Sequence, residues 1–252
     1  MPAFLLKIIA MSTMLVDHSA IAFADSDPLM RMIGRPAFIL YAFLMAESYY
    51  HLQDKPDRLK AHTIKLLALC IVSEAAHDLF DFGVCFETTK QSVLGTLTLG
   101  FVALIASGWW SRRASGNRLL KAAGCVMICL AAAGASYCIR SEYKFAGVLL
   151  ICMFYVYLNI SDGLSFEKRA SVVILLLLAY LAVYYWSASG FRPYSTVITI
   201  VNPLTIAGTC LTLFPIALYD RRLGYNSRWF RLLYSSFYPL HLAILYVLVY
   251  RF

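Results

Sequence analysis

Read as a string of apolar and polar positions, the chain divides into nine long apolar stretches separated by short polar breaks. They run over about 4–24, 31–51, 60–82, 91–111, 118–139, 144–160, 168–188, 196–219 and 229–251. Each is close to the ~20 residues that a helix needs to cross the hydrocarbon of a bilayer. The runs are continuous rather than alternating, which argues for helices and against the strands of a membrane barrel. Two are less regular: 144–160 is short, and Asn202-Pro203 and Pro215 interrupt 196–219. No soluble domain, long linker, low-complexity tract or internal repeat separates the stretches. The pattern predicts one all-α unit over 1–252, a polytopic integral membrane helix bundle with about nine spans.

Composition agrees. Of the 252 residues 61% are hydrophobic and 14% charged, and the mean hydropathy is +0.69. Soluble domains carry roughly 25% charged residues, so this chain cannot cover a surface with polar groups. The net charge of +8 invites a nucleic-acid reading, but the placement of the charges removes it. Lys55, Arg58, Lys60, Lys65, Arg112, Arg113, Arg118, Lys121, Lys168, Arg169, Arg221, Arg222, Arg228 and Arg231, fourteen of the 22 basic residues, fall on one side. The other side has Arg31, Arg35, Lys90, Arg140, Lys144 and Arg192. The positive-inside rule then places the N-terminus in the cytoplasm and the C-terminus outside. Ala22-Phe23-Ala24 resembles a signal-peptide cleavage site, yet no cluster of positive charge precedes the apolar run, so the first stretch is read as a retained span.

Candidate chemistry lies in the polar residues that interrupt these spans, where each ionisable group costs about 2.5–3.5 kcal/mol even on insertion scales. Lys7, Met11, Met14 and His18 share one helical stripe, with Lys7 about 16 Å from His18 along the axis. Lys7 either snorkels to the boundary or meets a cytoplasmic anion. His18 is either a hydrogen-bonded packing residue or a base, oriented by Asp17 or another carboxylate. In "SEAAHDLFD", Glu74, His77, Asp78 and Asp81 share a face that must look into a cavity or a partner helix, unless it ends in water. Arg35, which could pair with Asp17 or Asp78, opens the second span, and Glu47 lies about 18 Å deeper, within possible reach of Lys65 or Lys7. In the ninth span Tyr234, Tyr238 and His241 share a face. Pro239 there frees the carbonyl of Ser235, either as a packing kink or as the edge of a polar cavity shared with His18.

The stretches "LKIIAMSTMLVDH", "MIGRPAFILYAFLMAESYYH" and "FYPLHLAILYVL" together resemble the TraX family, named for the F-pilin acetylation protein. Similarity scattered between them, including "GTLTLGFVALI" and "FAGVLLICMFY", extends it over most of the chain. Lys7, ten residues and His18 also resemble the basic-x10-His signature of the type-three membrane acyltransferases. The resemblance implies acetyl transfer, at the bacterial inner membrane, from cytoplasmic acetyl-CoA to an amine or hydroxyl of a membrane-associated or exported acceptor. On that reading His18 is the base, with Asp17, His241 and Asp78 completing the catalytic group. Lys7, Arg35, Glu47 and Tyr238 would hold acetyl-CoA, and His77 and Glu74 would meet the acceptor. The family's Pro-Phe-Asp element is Ala76-His77-Asp78 here, so His77 is extra and acceptor choice is in question. The basic clusters at 55–65 and 112–121 offer cations for the CoA phosphates, or serve topology alone.

A competing reading makes Asp17, His18, Glu74, His77 and Asp78 the relay of a proton-coupled transporter. The seven cysteines form no C-x-x-C pair and no metal spacing, so no metal is expected. Cys85 and Cys138 fall on the same outer side and would need Cα atoms within roughly 7 Å to pair.

Overall fold

The computed structural model describes residues 1–114, 117–191 and 201–251, and it is helical almost throughout. The helices are α1 (Ala3–Phe23), α2 (Pro28–Gly34), α3 (Pro36–Leu52), α4 (Pro56–Phe82), α5 (Val93–Arg113), α6 (Arg118–Cys138), α7 (Lys144–Ile160), α8 (Phe166–Ala188), α9 (Pro203–Cys210), α10 (Leu213–Ala217) and α11 (Arg228–Arg251). Among the described residues the one β-type contact is an isolated bridge between Gln91 and Ser141.

Helix ends follow local chemistry. Asp27 caps α2 by accepting from the N–H groups of Leu29 and Met30 at 3.0 and 2.9 Å, and Pro28 fills the position where no N–H is needed. Pro36 lacks the N–H that would bond Met32, so the helix read as one span from 31 divides at Arg35, whose N–H spans the Arg31 and Met32 carbonyls. The first turn of α1 is closed from outside: the Arg222 and Leu223 carbonyls accept from Ala3 and Phe4 at 2.8 and 3.1 Å.

Helices α3 and α7 form the centre, packed on each other, with α1, α5 and α8 against them and α6 outside α5 and α7. Helix α11 lies between α1 and α4, and α9 and α10 cover α2 and α8. Small residues permit the closest approaches. A Cβ on Gly208 of α9 would stand 2.3 Å from the Met32 carbonyl oxygen, and one on Gly34 of α2 would stand 2.4 Å from Asp17. Apolar side chains such as Ile71, Met127, Leu175 and Phe214 face outwards, as a bilayer requires.

Among the described residues, six helices are long and apolar enough to cross a membrane: Ala3–Phe23, Pro28–Leu52, Val93–Arg113, Arg118–Cys138, Phe166–Ala188 and Arg228–Val249. The protein is a multi-pass membrane protein, and three of the nine expected spans fall short for different reasons. Helix α4 has the length but too much charge, and α7 has 17 residues, about 26 Å against a ~30 Å core. The expected span 196–219 is not one helix. Its residues up to 200 lie outside the described residues, Asn202 caps α9, and the chain breaks again before α10.

Candidate active site

Two histidines 223 residues apart meet between α1 and α11: His18 Nδ1 lies 2.9 Å from His241 Nε2. His241 Nδ1 lies 2.7 Å from the Phe237 carbonyl, one turn back on its own helix. A carbonyl only accepts, so His241 carries its proton on Nδ1 and, when neutral, presents a lone pair at Nε2. His18 must then donate from Nδ1, which leaves the lone pair of His18 on Nε2. This is the tautomer that a general base needs, set by a hydrogen bond on the opposite ring nitrogen. The rings of Phe80 and Tyr238 flank His18 edge-on, with centroids 5.8 and 6.2 Å away.

Asp17 does not orient His18, contrary to one expectation. It points about 100° around α1 and forms an ion pair with Arg31 at 2.7 Å, not with Arg35. Its Oδ1 is buried with no hydrogen-bond partner. Arg35 stands where Tyr143, Tyr180, Tyr184 and Asp17 surround its charge. It does not line the cavity described below.

The face of α4 expected to be reactive is largely engaged by the loop before α5. Glu74 accepts from the Ser92 N–H at 2.9 Å and the Ser92 hydroxyl at 2.8 Å. Asp78 accepts from the Glu87 N–H at 2.8 Å, and Asp81 binds Lys90 at 2.8 Å. His77 lies between Asp78 at 3.4 Å and Asp81 at 3.3 Å. Ligand-type atoms of Glu74, His77 and Asp78 come within 4.8 Å of one another, a grouping that the cysteine pattern gave no reason to expect. In that loop Lys90 is held above the usual lysine pKa: burial opposes its charge, but the Glu142 and Asp81 carboxylates outweigh it. Cys85 and Cys138 are both free and exposed.

Below the histidine pair a cavity of about 650 Å³ opens towards the end of the bundle rich in basic residues. Lys7, Lys55, Arg58, Lys65, Arg221 and Arg231 line it, and Leu94, Leu97, Tyr41 and Tyr238 line its apolar part. Three buried polar atoms on its wall have no hydrogen-bond partner: the hydroxyls of Tyr41 and Tyr238, and His62 Nε2. Lys7 stands over the Tyr234 ring at 5.1 Å. Glu47 is 6% exposed, accepts from the Tyr219 hydroxyl at 2.9 Å and faces His51 Nε2 at 3.4 Å. Neither His18 nor His241 lines this cavity. Tyr238 does, and its ring centroid is 5.7 Å from that of His241.

Of the two basic clusters, the 55–65 group lines the cavity, through Lys55, Arg58 and Lys65, and the 112–121 group does not. Arg221 and Arg231 take the latter's place, although their spacing carried only a topological signal. Arg221 is fixed by the Leu158 carbonyl at 2.6 Å and by the hydroxyls of Tyr50 and Ser161 at 2.9 and 3.1 Å.

A family model described as TraX protein matches residues 3–249. The chain belongs to the TraX family. No curated protein and no solved structure matches it. The three stretches that carried the resemblance map onto α1, α2–α3 and α11 of this TraX-family chain, the helices that supply Lys7, Glu47, Tyr238 and the histidine pair.

Proposed function

We propose that this TraX-family protein moves an acetyl group from acetyl-CoA to an amine or hydroxyl of a membrane-associated or exported acceptor, in a bacterial inner membrane. The observation that carries the reading is the continuity of two parts. A cavity with a cationic mouth ends at Tyr238, and Tyr238 touches a histidine pair whose tautomers leave His18 Nε2 unprotonated. A volume of about 650 Å³ suits an organic ligand, and basic side chains suit the phosphates of CoA. The apolar inner part suits the pantetheine arm, with the thioester directed at the histidines.

In this reading His18 Nε2 takes the proton of the acceptor O–H or N–H as the oxygen or nitrogen attacks the thioester carbon. His241 stabilises the resulting imidazolium through the 2.9 Å bond. Collapse of the tetrahedral intermediate breaks the C–S bond, and His18 returns the proton to the departing thiolate, giving CoA thiol and acetylated acceptor.

The test uses the full chain in lipid nanodiscs with isotopically labelled acetyl-CoA and bacterial envelope extract. Label should enter the envelope fraction, and His18→Ala should lower the rate by about 10²–10⁴-fold, the range for a general base, without loss of fold. A folded His18→Ala protein with near-normal turnover would refute the assignment.

A further inference from the structure

We propose that the Tyr238 hydroxyl and the first-turn backbone N–H groups of α5 form an oxyanion site that receives the thioester carbonyl oxygen. The inference rests on the acetyl-transfer reading; it gives Tyr238, which the resemblance marks only as a residue that would hold acetyl-CoA, a catalytic role, and it adds the backbone of α5.

Helix α5 begins in an unusual place. Its N-cap residue Ser92 is fully buried, and Val93 and Leu94 are 6% and 5% exposed. The N–H groups at a helix start have no partner within the helix and require one from elsewhere. A serine in this position ordinarily accepts from the N–H two or three residues on. Ser92 makes no such bond, because its hydroxyl donates to Glu74 Oε2 at 2.8 Å. Glu74 also takes the Ser92 N–H, so the half-buried carboxylate holds the cap residue away from its own helix. The start of α5, at the end of its span, therefore stays uncapped by a side chain, and a helix start of this kind can receive anionic oxygen.

The second, independent observation is Tyr238. The residue is 4% exposed, and its hydroxyl is buried with no hydrogen-bond partner. An unmet buried hydroxyl is costly, so its retention needs a reason. Val93, in the first turn of α5, lies beside the same phenol oxygen, with no hydrogen bond between them. Tyr238 and Leu94, from α11 and the first turn of α5, both line the inner part of the cavity. The Tyr238 ring centroid is 6.2 Å from that of His18. Hydrogen-bond donors from two elements thus converge beside the base, at the inner limit of the space assigned to acetyl-CoA.

The chemistry needs such donors. As the acceptor attacks, the carbonyl π-electrons move to oxygen, and an O–H and an N–H already aimed at that position stabilise the negative charge without reorganisation. When the C–S bond breaks, the charge returns to the carbonyl and the donors are released. Tyr238 neither gives up nor takes a proton, so the proton balance remains with His18.

The experiment is Tyr238→Phe in the full chain in nanodiscs, measured with labelled acetyl-CoA and envelope extract beside wild type. Loss of one oxyanion donor predicts a fall in kcat of about a hundredfold, with KM for acetyl-CoA within about twofold because the bond forms chiefly in the transition state. The melting temperature should not fall, because the hydroxyl removed has no partner to lose. A kcat within a few-fold of wild type overturns the inference, as does a fall of several degrees in melting temperature, which would mark the hydroxyl as structural. Absence of any transfer by wild type is a different failure, since it removes the acetyl-transfer reading itself.

Discussion

Replacing His241 with Phe tests the central geometry most sharply. The substitution keeps a planar ring between α1 and α11 but removes the Nε2 lone pair that faces His18 Nδ1 at 2.9 Å. His18 then loses the His241 acceptor at that nitrogen, and nothing on α11 selects the tautomer with a free Nε2. The effect is largest when His18 has taken a proton, because a hydrogen bond from a charged group is worth about 1.5–3 kcal/mol. At 1.36 kcal/mol per factor of ten, that loss corresponds to a fall in kcat of roughly ten- to a hundredfold. KM for acetyl-CoA should change little, since His241 does not line the cavity. His241→Gln supplies a side-chain carbonyl that accepts from His18 Nδ1, so it should recover part of the loss. The measurement is steady-state transfer of labelled acetyl groups by nanodisc-embedded variants, with melting curves to confirm folding. Wild-type kcat in a folded His241→Phe protein would refute the argument that the pair sets the tautomer. Equal loss in Phe and Gln variants would show that ring shape, and not an acceptor, is what matters.

Lys7→Ala should raise KM for acetyl-CoA by roughly ten- to a hundredfold and leave kcat nearly intact, because the lysine lines the cavity and would bind ground and transition states alike. Glu47 keeps Tyr219 as a partner in that variant, so the fold should survive, and an unchanged KM would mean that Lys7 only snorkels. Gly208→Ala puts a methyl group 2.3 Å from the Met32 carbonyl oxygen, and the forced separation of α9 from α2 should cost about 1–3 kcal/mol, read as a lower melting temperature. An unchanged melting curve would show that the two helices are not so closely packed.

Much of the fold was legible because helix formation in a membrane is a local matter. A peptide group in hydrocarbon must bond within its own segment, so a continuous apolar run of sufficient length becomes a helix whatever its neighbours are. The stretch read as 118–139 is α6 at Arg118–Cys138, and 168–188 is α8 at Phe166–Ala188. Where a local rule failed to show in hydropathy, as at Pro36 and Asn202, the break came from a missing N–H or a capping side chain. Lys7, Glu47, His18 and His241 could also be singled out, since ionisable groups in apolar runs are costly wherever they fall.

Which polar group meets which was decided by tertiary packing. Asp17 is adjacent to His18 in the chain, but the helical turn sends it to Arg31, and His18 finds its partner 223 residues away. Glu74 and Asp78, placed like a reactive face, are drawn to the loop before α5 because backbone N–H groups there lie within bonding distance. Arg221 and Arg231 enter the cavity wall only because the ends of α3, α4 and α11 converge. Tyr238 carries no signal in its spacing beyond a shared helical face; its unmet hydroxyl beside the buried start of α5 exists only once α11 and α5 are packed. Length and polarity along one helix can reveal that a polar group must be satisfied, but the rotation and neighbours of that helix determine what satisfies it.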